Sequence, residues 1–148
     1  VEGLLRPLMD SVNMVNALTV AKERNIEVTE VKHDREGDYH TLIRLVVTTE
    51  KQTRDVAGTL FADGGPRIVQ VKGINVEAQV TPNMIYIVNA DLPGFIGKFG
   101  TILGDAGINI ATFNLGRTEA GKEAIALIAV DQPVPTEVLG KICALPMV

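Results

Sequence analysis

The chain has 148 residues, 46% apolar and 22% charged, a balance that buries a core and excludes disorder. Its 14 basic and 18 acidic residues leave a net charge of −4, which gives no basic field for nucleic acid or an anionic membrane surface. With 4% aromatics and no tryptophan there is no base-stacking platform either.

The one cysteine, Cys143, cannot close an internal disulfide, which favours a reducing compartment and a cytoplasmic protein. The longest apolar run, Ala124 to Val130, has the length of a strand and falls short of a membrane span. No secretory signal pattern is present. The chain opens on Val1 inside a segment that is already periodic, as expected of a piece of a longer protein. Two halves of about 80 and 65 residues would each have a thin core, so burial against one another or against another subunit is expected.

In chain order, Leu4, Leu5, Leu8 and Val12 share one helical face, so residues 2–12 read as the end of a helix. Asn16 is placed to cap a second helix, Ala17 to Arg24, with Leu18 and Ala21 facing inward. Ile26, Val28 and Val31 suggest a strand, and the stretch from His33 to Asp38 is a polar loop. Tyr39 to Thr49 and Asp55 to Phe61 have strand composition. Ala62-Asp-Gly-Gly-Pro66 is a loop, and Arg67 to Lys72 with Asn75 to Val80 form a hairpin around Gly73.

Thr81-Pro-Asn83 marks a boundary, giving domains 1–81 and 82–148. Met84 to Val88 is a short strand, and Leu92-Pro-Gly94 sets a turn, because proline fixes φ and glycine permits φ > 0. Ile96, Phe99, Ile102, Leu103 and Ala106 then recur at helical spacing, and Gly107 supplies a left-handed stop. A second strand follows. Glu123 to Val130 is a third, and a helix starting at Pro135 presents Val138, Leu139, Ile142 and Leu145 as its buried stripe. The expected class is α+β: a mostly antiparallel sheet with helices, then a ferredoxin-like βαββα(β) unit lacking its last strand.

Few residues suggest chemistry. Gly94, Gly97 and Gly100 follow a strand and open a helix, but their Gly-x-x-Gly-x-x-Gly spacing is not that of a dinucleotide-binding turn. Gly97 and Gly100 read instead as points of close approach by a neighbouring strand or subunit. His33 and His40 have no partners at metal-ligand spacing, Cys143 reads as a small core residue, and Ser11 is the only serine. No catalytic site, metal or cofactor is expected in these residues. Asp91 and Asn109 stand at the two ends of the central helix. Capping and turn formation would explain them locally. Alternatively, a carboxylate, an amide and free helix N–H groups could together hold the two charged ends of an α-amino acid.

The pattern D-L-P-G-F-I-G-K-F-G-T-I-L-G-D-A-G-I-N-I-A at 91–111, followed by Leu115-Gly-Arg117, resembles the ACT regulatory domains. Asp10-Ser-Val-Asn-Met-Val-Asn-Ala17, Ala21-Lys-Glu-Arg24, Val56-Ala-Gly-Thr59 and Pro66-Arg-Ile-Val69 resemble the intervening domain of long-form D-3-phosphoglycerate dehydrogenases. That resemblance implies a regulatory fragment of an NAD-dependent enzyme that oxidises 3-phosphoglycerate in L-serine biosynthesis, with its NAD-binding and substrate domains upstream. It further implies homo-oligomers paired through ACT domains, with L-serine or another small amino acid bound between them by Asn89, Asp91, Pro93, Gly94, Asn109 and Ile110.

Asn89 departs from the histidine or tyrosine common in serine-binding members; asparagine hydrogen-bonds but neither carries charge nor stacks. Arg67, with the uncharged Asn75 and Gln79 near it in sequence, matches one position of a candidate anion site. Two rivals are the regulatory segment of an iron–sulfur L-serine dehydratase and a structural oligomerisation module without effector.

Overall fold

The computed structural model describes residues 1–32, 39 and 41–148. His40 and the expected loop from His33 to Asp38 lie outside them. The chain divides into two compact units, Val1–Glu36 and Gly37–Val148.

The first unit is helical. Helix α1, Glu2–Leu5, passes at once into a 3-10 turn, Arg6–Leu8. The single helix expected through residue 12 does not form because Pro7 has no N–H to donate and crowds the preceding turn. Helix α2 spans Ala17–Glu23. Asn16 precedes it without a side-chain cap bond. Its Oδ1 instead accepts the Asn13 N–H (2.8 Å), and its Nδ2 donates to the Ser11 carbonyl (2.9 Å). Leu5, Val12, Ala17 and Ala21 make the core of this unit, while Leu4, Leu8 and Leu18 are exposed. The strand expected at Ile26, Val28 and Val31 is absent, and all three side chains are exposed. An extended segment needs a neighbour to satisfy its backbone groups, and the described residues of this unit offer it no strand.

The second unit holds two antiparallel sheets. Strands β1 (Leu42–Thr48), β2 (Thr53–Leu60), β3 (Pro66–Val71) and β4 (Ile74–Gln79) follow one another as a meander in the order β1-β2-β3-β4. The second sheet contains β5 (Met84–Ala90), β6 (Ile110–Arg117) and β7 (Glu123–Val130) in the order β5-β7-β6. Helix α3 (Phe95–Asp105) crosses from β5 to β6, and α4 (Thr136–Cys143) follows β7. This is the expected β-α-β-β-α order of a ferredoxin-like unit, with β5 and β6 parallel on either side of β7. The Ala90 N–H, on the outer edge of β5, donates to the Met147 carbonyl (2.8 Å).

Every residue of β7 after Glu123 is buried, because both of its faces are covered. On one face Ala126, Ile128 and Val130 meet Phe95, Phe99 and Leu103 of α3 and Val138 and Ile142 of α4. On the other face Ile125 and Leu127 meet Ile74, Val76 and Ala78 of β4. That second contact is close. A Cβ on Gly116 of β6 would clash with the Asn75 carbonyl and stand only 3.0 Å from side-chain atoms of Ile74 and Val76. Glycine is required there so that β4 can lie directly on β6.

The helices differ from expectation at four points. Phe95, not Ile96, begins the buried stripe of α3; Ile96 and Ala106 are exposed. Within the chain no strand comes close to Gly97 or Gly100, since a Cβ at either would have no neighbour within 4 Å. Cys143 is exposed rather than part of the core. Pro135 is the residue before α4, extended at φ −60° and ψ 147°, and the helix starts at Thr136.

Candidate functional site

The second sheet ends in a polar row. Alternation along β5 places Asn89 on the same face as Ile85 and Ile87, which lie in the helix-covered core. Asn89 is only 4% exposed. Its Nδ2 donates to the Ala90 carbonyl (2.9 Å), while its Oδ1 is buried without a donor. Directly opposite it on β7 is Ala124, and opposite Ala124 on β6 is Arg117. Residues opposite one another share a face, so Asn89, Ala124 and Arg117 form one row with only a methyl group between the two polar side chains.

After β5 the chain turns sharply. The Asp91 N–H donates to the Lys122 carbonyl (2.8 Å) and the Leu92 N–H to the Ala90 carbonyl (2.8 Å). Gly94 then takes φ 90° and becomes the N-cap of α3. That left-handed backbone, rather than any crowding, requires glycine, since its missing Cβ would meet nothing. With no side-chain cap on this helix, the Lys98 N–H donates to the Gly94 carbonyl and the Phe95 N–H to the Leu92 carbonyl. The N–H groups of Ile96 and Gly97 find no acceptor among the described residues. They are the free donors and positive dipole end of a helix start.

Asp91 does not cap α3. Its Oδ2 accepts from Arg117 Nη1 (2.7 Å) and from the Gly121 N–H (3.4 Å). The Arg117 bond holds the Asp91 carboxyl below the usual carboxylate range, and the Gly121 N–H adds to that against a partial desolvation penalty. Arg117 keeps a side-chain exposure of 56%, so most of its guanidinium remains available.

These groups surround an open cleft of about 630 Å³ whose lining includes Asn89, Asp91, the Leu92–Gly97 turn, Leu115, Arg117 and Gly121. Within one chain it brings together Asn89, Asp91, Pro93 and Gly94. Asn109 and Ile110 do not line it. They lie past the other end of α3, whose 11 residues span about 16 Å. There Asn109 Nδ2 donates to Asp131 Oδ2 (2.7 Å), and Ile110 packs beside the helix-covered core.

Arg67 lies apart, on β3. Its Nη2 donates to Asp63 Oδ2 (3.1 Å), and the guanidinium carbon is 5.2 Å from the centre of the Phe61 ring. Gln79 is opposite it on β4, while Asn75 Oδ1 accepts from Gln70 Nε2 (3.0 Å). Arg117, which closes the Leu-Gly-Arg motif, lines the cleft and pairs with Asp91, a placement its residue type and spacing do not signal. Only the register of three strands reveals that it faces Asn89.

The intervening-domain family of D-3-phosphoglycerate dehydrogenase matches residues 1–72, and the ACT domain family matches residues 83–146. The D-3-phosphoglycerate dehydrogenase of Bacillus subtilis is 39% identical over 145 residues, covering 97% of this chain and 28% of the relative. The chain belongs to the D-3-phosphoglycerate dehydrogenase family. The enzyme of that name from Methanocaldococcus jannaschii is 37% identical over 98% of this chain and 28% of its own length. The one from Synechocystis is 34% identical over 96% and 26%. The chain thus spans roughly a quarter of the length of the relatives it matches, in the region that carries an intervening-domain segment and an ACT domain. No helix among the described residues is long and apolar enough to cross a membrane.

Proposed function

We propose that this chain is the regulatory, effector-binding and oligomerisation region of a phosphoglycerate dehydrogenase, and that its cleft takes a free amino acid, L-serine first among candidates. Residues 1–81 would form part of the intervening domain and 82–148 the ACT domain. The NAD-dependent oxidation of 3-phosphoglycerate would be carried out by other parts of the protein, with NAD bound there.

The observation that carries the reading is the buried, undonated Oδ1 of Asn89 beside the free N–H groups of α3. A buried acceptor without a donor is costly, and a ligand ammonium or hydroxyl would satisfy it. The helix start offers the complementary place for a carboxylate. The cleft is open on one side, and Asn109 and Ile110 are outside it. A second copy of the ACT domain placed against the first would close the cleft and add those two residues. Effector binding would then favour one subunit arrangement by differential affinity, and that shift would be the regulatory signal.

Calorimetric titration of the intact protein with L-serine tests the reading. Saturable heat and a raised melting temperature are expected. Asn89→Ala should weaken binding about three- to tenfold, the loss of one hydrogen bond, and Asn109→Ala should weaken it only while the protein is oligomeric. Absence of any heat or thermal shift would leave a structural oligomerisation role instead.

A further inference from the structure

Resting on that reading, we propose that Arg117 is the carboxylate-binding and specificity-determining residue of the cleft, and that the ligand inserts into the Asp91–Arg117 ion pair. The effector class is therefore a zwitterion with adjacent ammonium and carboxylate groups, rather than a simple amine or a simple acid.

Three features lead there. First, the two charges of the site already neutralise one another at 2.7 Å. A lone carboxylate taking Arg117 would strand Asp91 with only the Gly121 N–H, and a lone amine taking Asp91 would strand the guanidinium. A zwitterion replaces both halves of the pair at once and leaves no charge unmatched.

Second, Arg117 is free to exchange. One of its five N–H donors is used on Asp91, its side chain is more than half exposed, and a guanidinium binds a carboxylate through two parallel bonds that a single Asp91 oxygen does not supply.

Third, the spacing fits. Two strand separations place the backbones of Asn89 and Arg117 about 10 Å apart, and both residues line the same cleft. A small amino acid spans it, with its ammonium toward Asp91 and the orphan Asn89 Oδ1 and its carboxylate toward Arg117 and the Ile96 and Gly97 N–H groups. Asn89 then recognises the ammonium end and Arg117 the carboxylate end.

The discriminating measurement compares L-serine with L-serinamide, which keeps the ammonium and loses the carboxylate charge. It uses the intact protein at about pH 6, below the α-amino range. Wild type should prefer L-serine by about ten- to a hundredfold, the size of a charge-assisted hydrogen bond. Arg117→Gln should lower L-serine affinity by that factor, leave L-serinamide no weaker now that no guanidinium competes for Asp91, and so erase the preference. Arg117→Lys, which keeps the charge without the fork, should retain an intermediate preference. An undiminished preference in Arg117→Gln would overturn the assignment and leave the carboxylate to the helix start alone, with the effector reading intact. If wild type bound neither compound nor any other small amino acid, the effector reading itself would fall and this assignment with it.

Discussion

Strands β1 and β7 are both predominantly apolar and live in opposite surroundings. Leu42, Ile43, Leu45, Val46 and Val47 of β1 are all exposed, Ile43 at 77%, whereas Ile125 and Ile128 of β7 are fully buried. β1 has one neighbour, β2, at the edge of its sheet. β7 has a strand on each side, two helices over one face and β4 over the other. Place in the strand order, not apolar content, decides which run becomes core. At its edge β1 carries Arg44, held by Asp55 (2.9 Å) and Gln70 (2.6 Å), a charge of the kind that discourages edge-to-edge pairing.

The largest expected effect comes from emptying the core side of β7. Ile128→Ala should destabilise by about 2–5 kcal/mol in urea unfolding, through lost transfer energy and the cavity left behind. The matching Ile43→Ala in β1 should stay within about 0.5 kcal/mol, and a comparable loss there would show that β1 is covered in solution. Next in size, Gly116→Ala tests whether β4 truly closes the second face of β7. Its added Cβ meets backbone rather than a yielding side chain, so about 1–3 kcal/mol should be lost by overpacking.

The smallest effect is acid-dependent and sits at the end of the β7 sheet. Because the Asp91 carboxyl is lowered in the folded protein, its contribution is complete above the ordinary aspartate value, about 3.9. It disappears as pH falls from there through the lowered folded value. Urea midpoints of wild type and Asp91→Asn should therefore differ by a constant amount above about pH 5 and converge below about pH 4. A difference that widened on acidification would contradict the Arg117 pairing.

The order of elements in the second unit was legible because turn residues punctuate it. Gly94 takes the positive φ its turn demands, and β7 spans the very run, Glu123–Val130, that the residues outline. Local pattern was less informative where it had to identify a partner. Ile26, Val28 and Val31 have strand composition and pair with no strand among the described residues. Ile96 has the spacing of a core residue and lines the cleft instead, because the turn at Gly94 starts the stripe at Phe95. Asp91 stood out as a candidate in the sequence but its ion-pair partner did not, since Arg117 meets it across two strand pairings. Asn109, singled out with it, lies at the far end of α3 in a single chain.

The glycine at 116 reaches beyond this one chain. Since a Cβ there collides with the carbonyl of Asn75 and crowds the flanking Ile74 and Val76, any relative with a side chain at that position must hold its two sheets farther apart or offset them along the strands. That one position therefore serves as a marker, readable in an unsolved sequence, for whether its two sheets stack as closely as they do here.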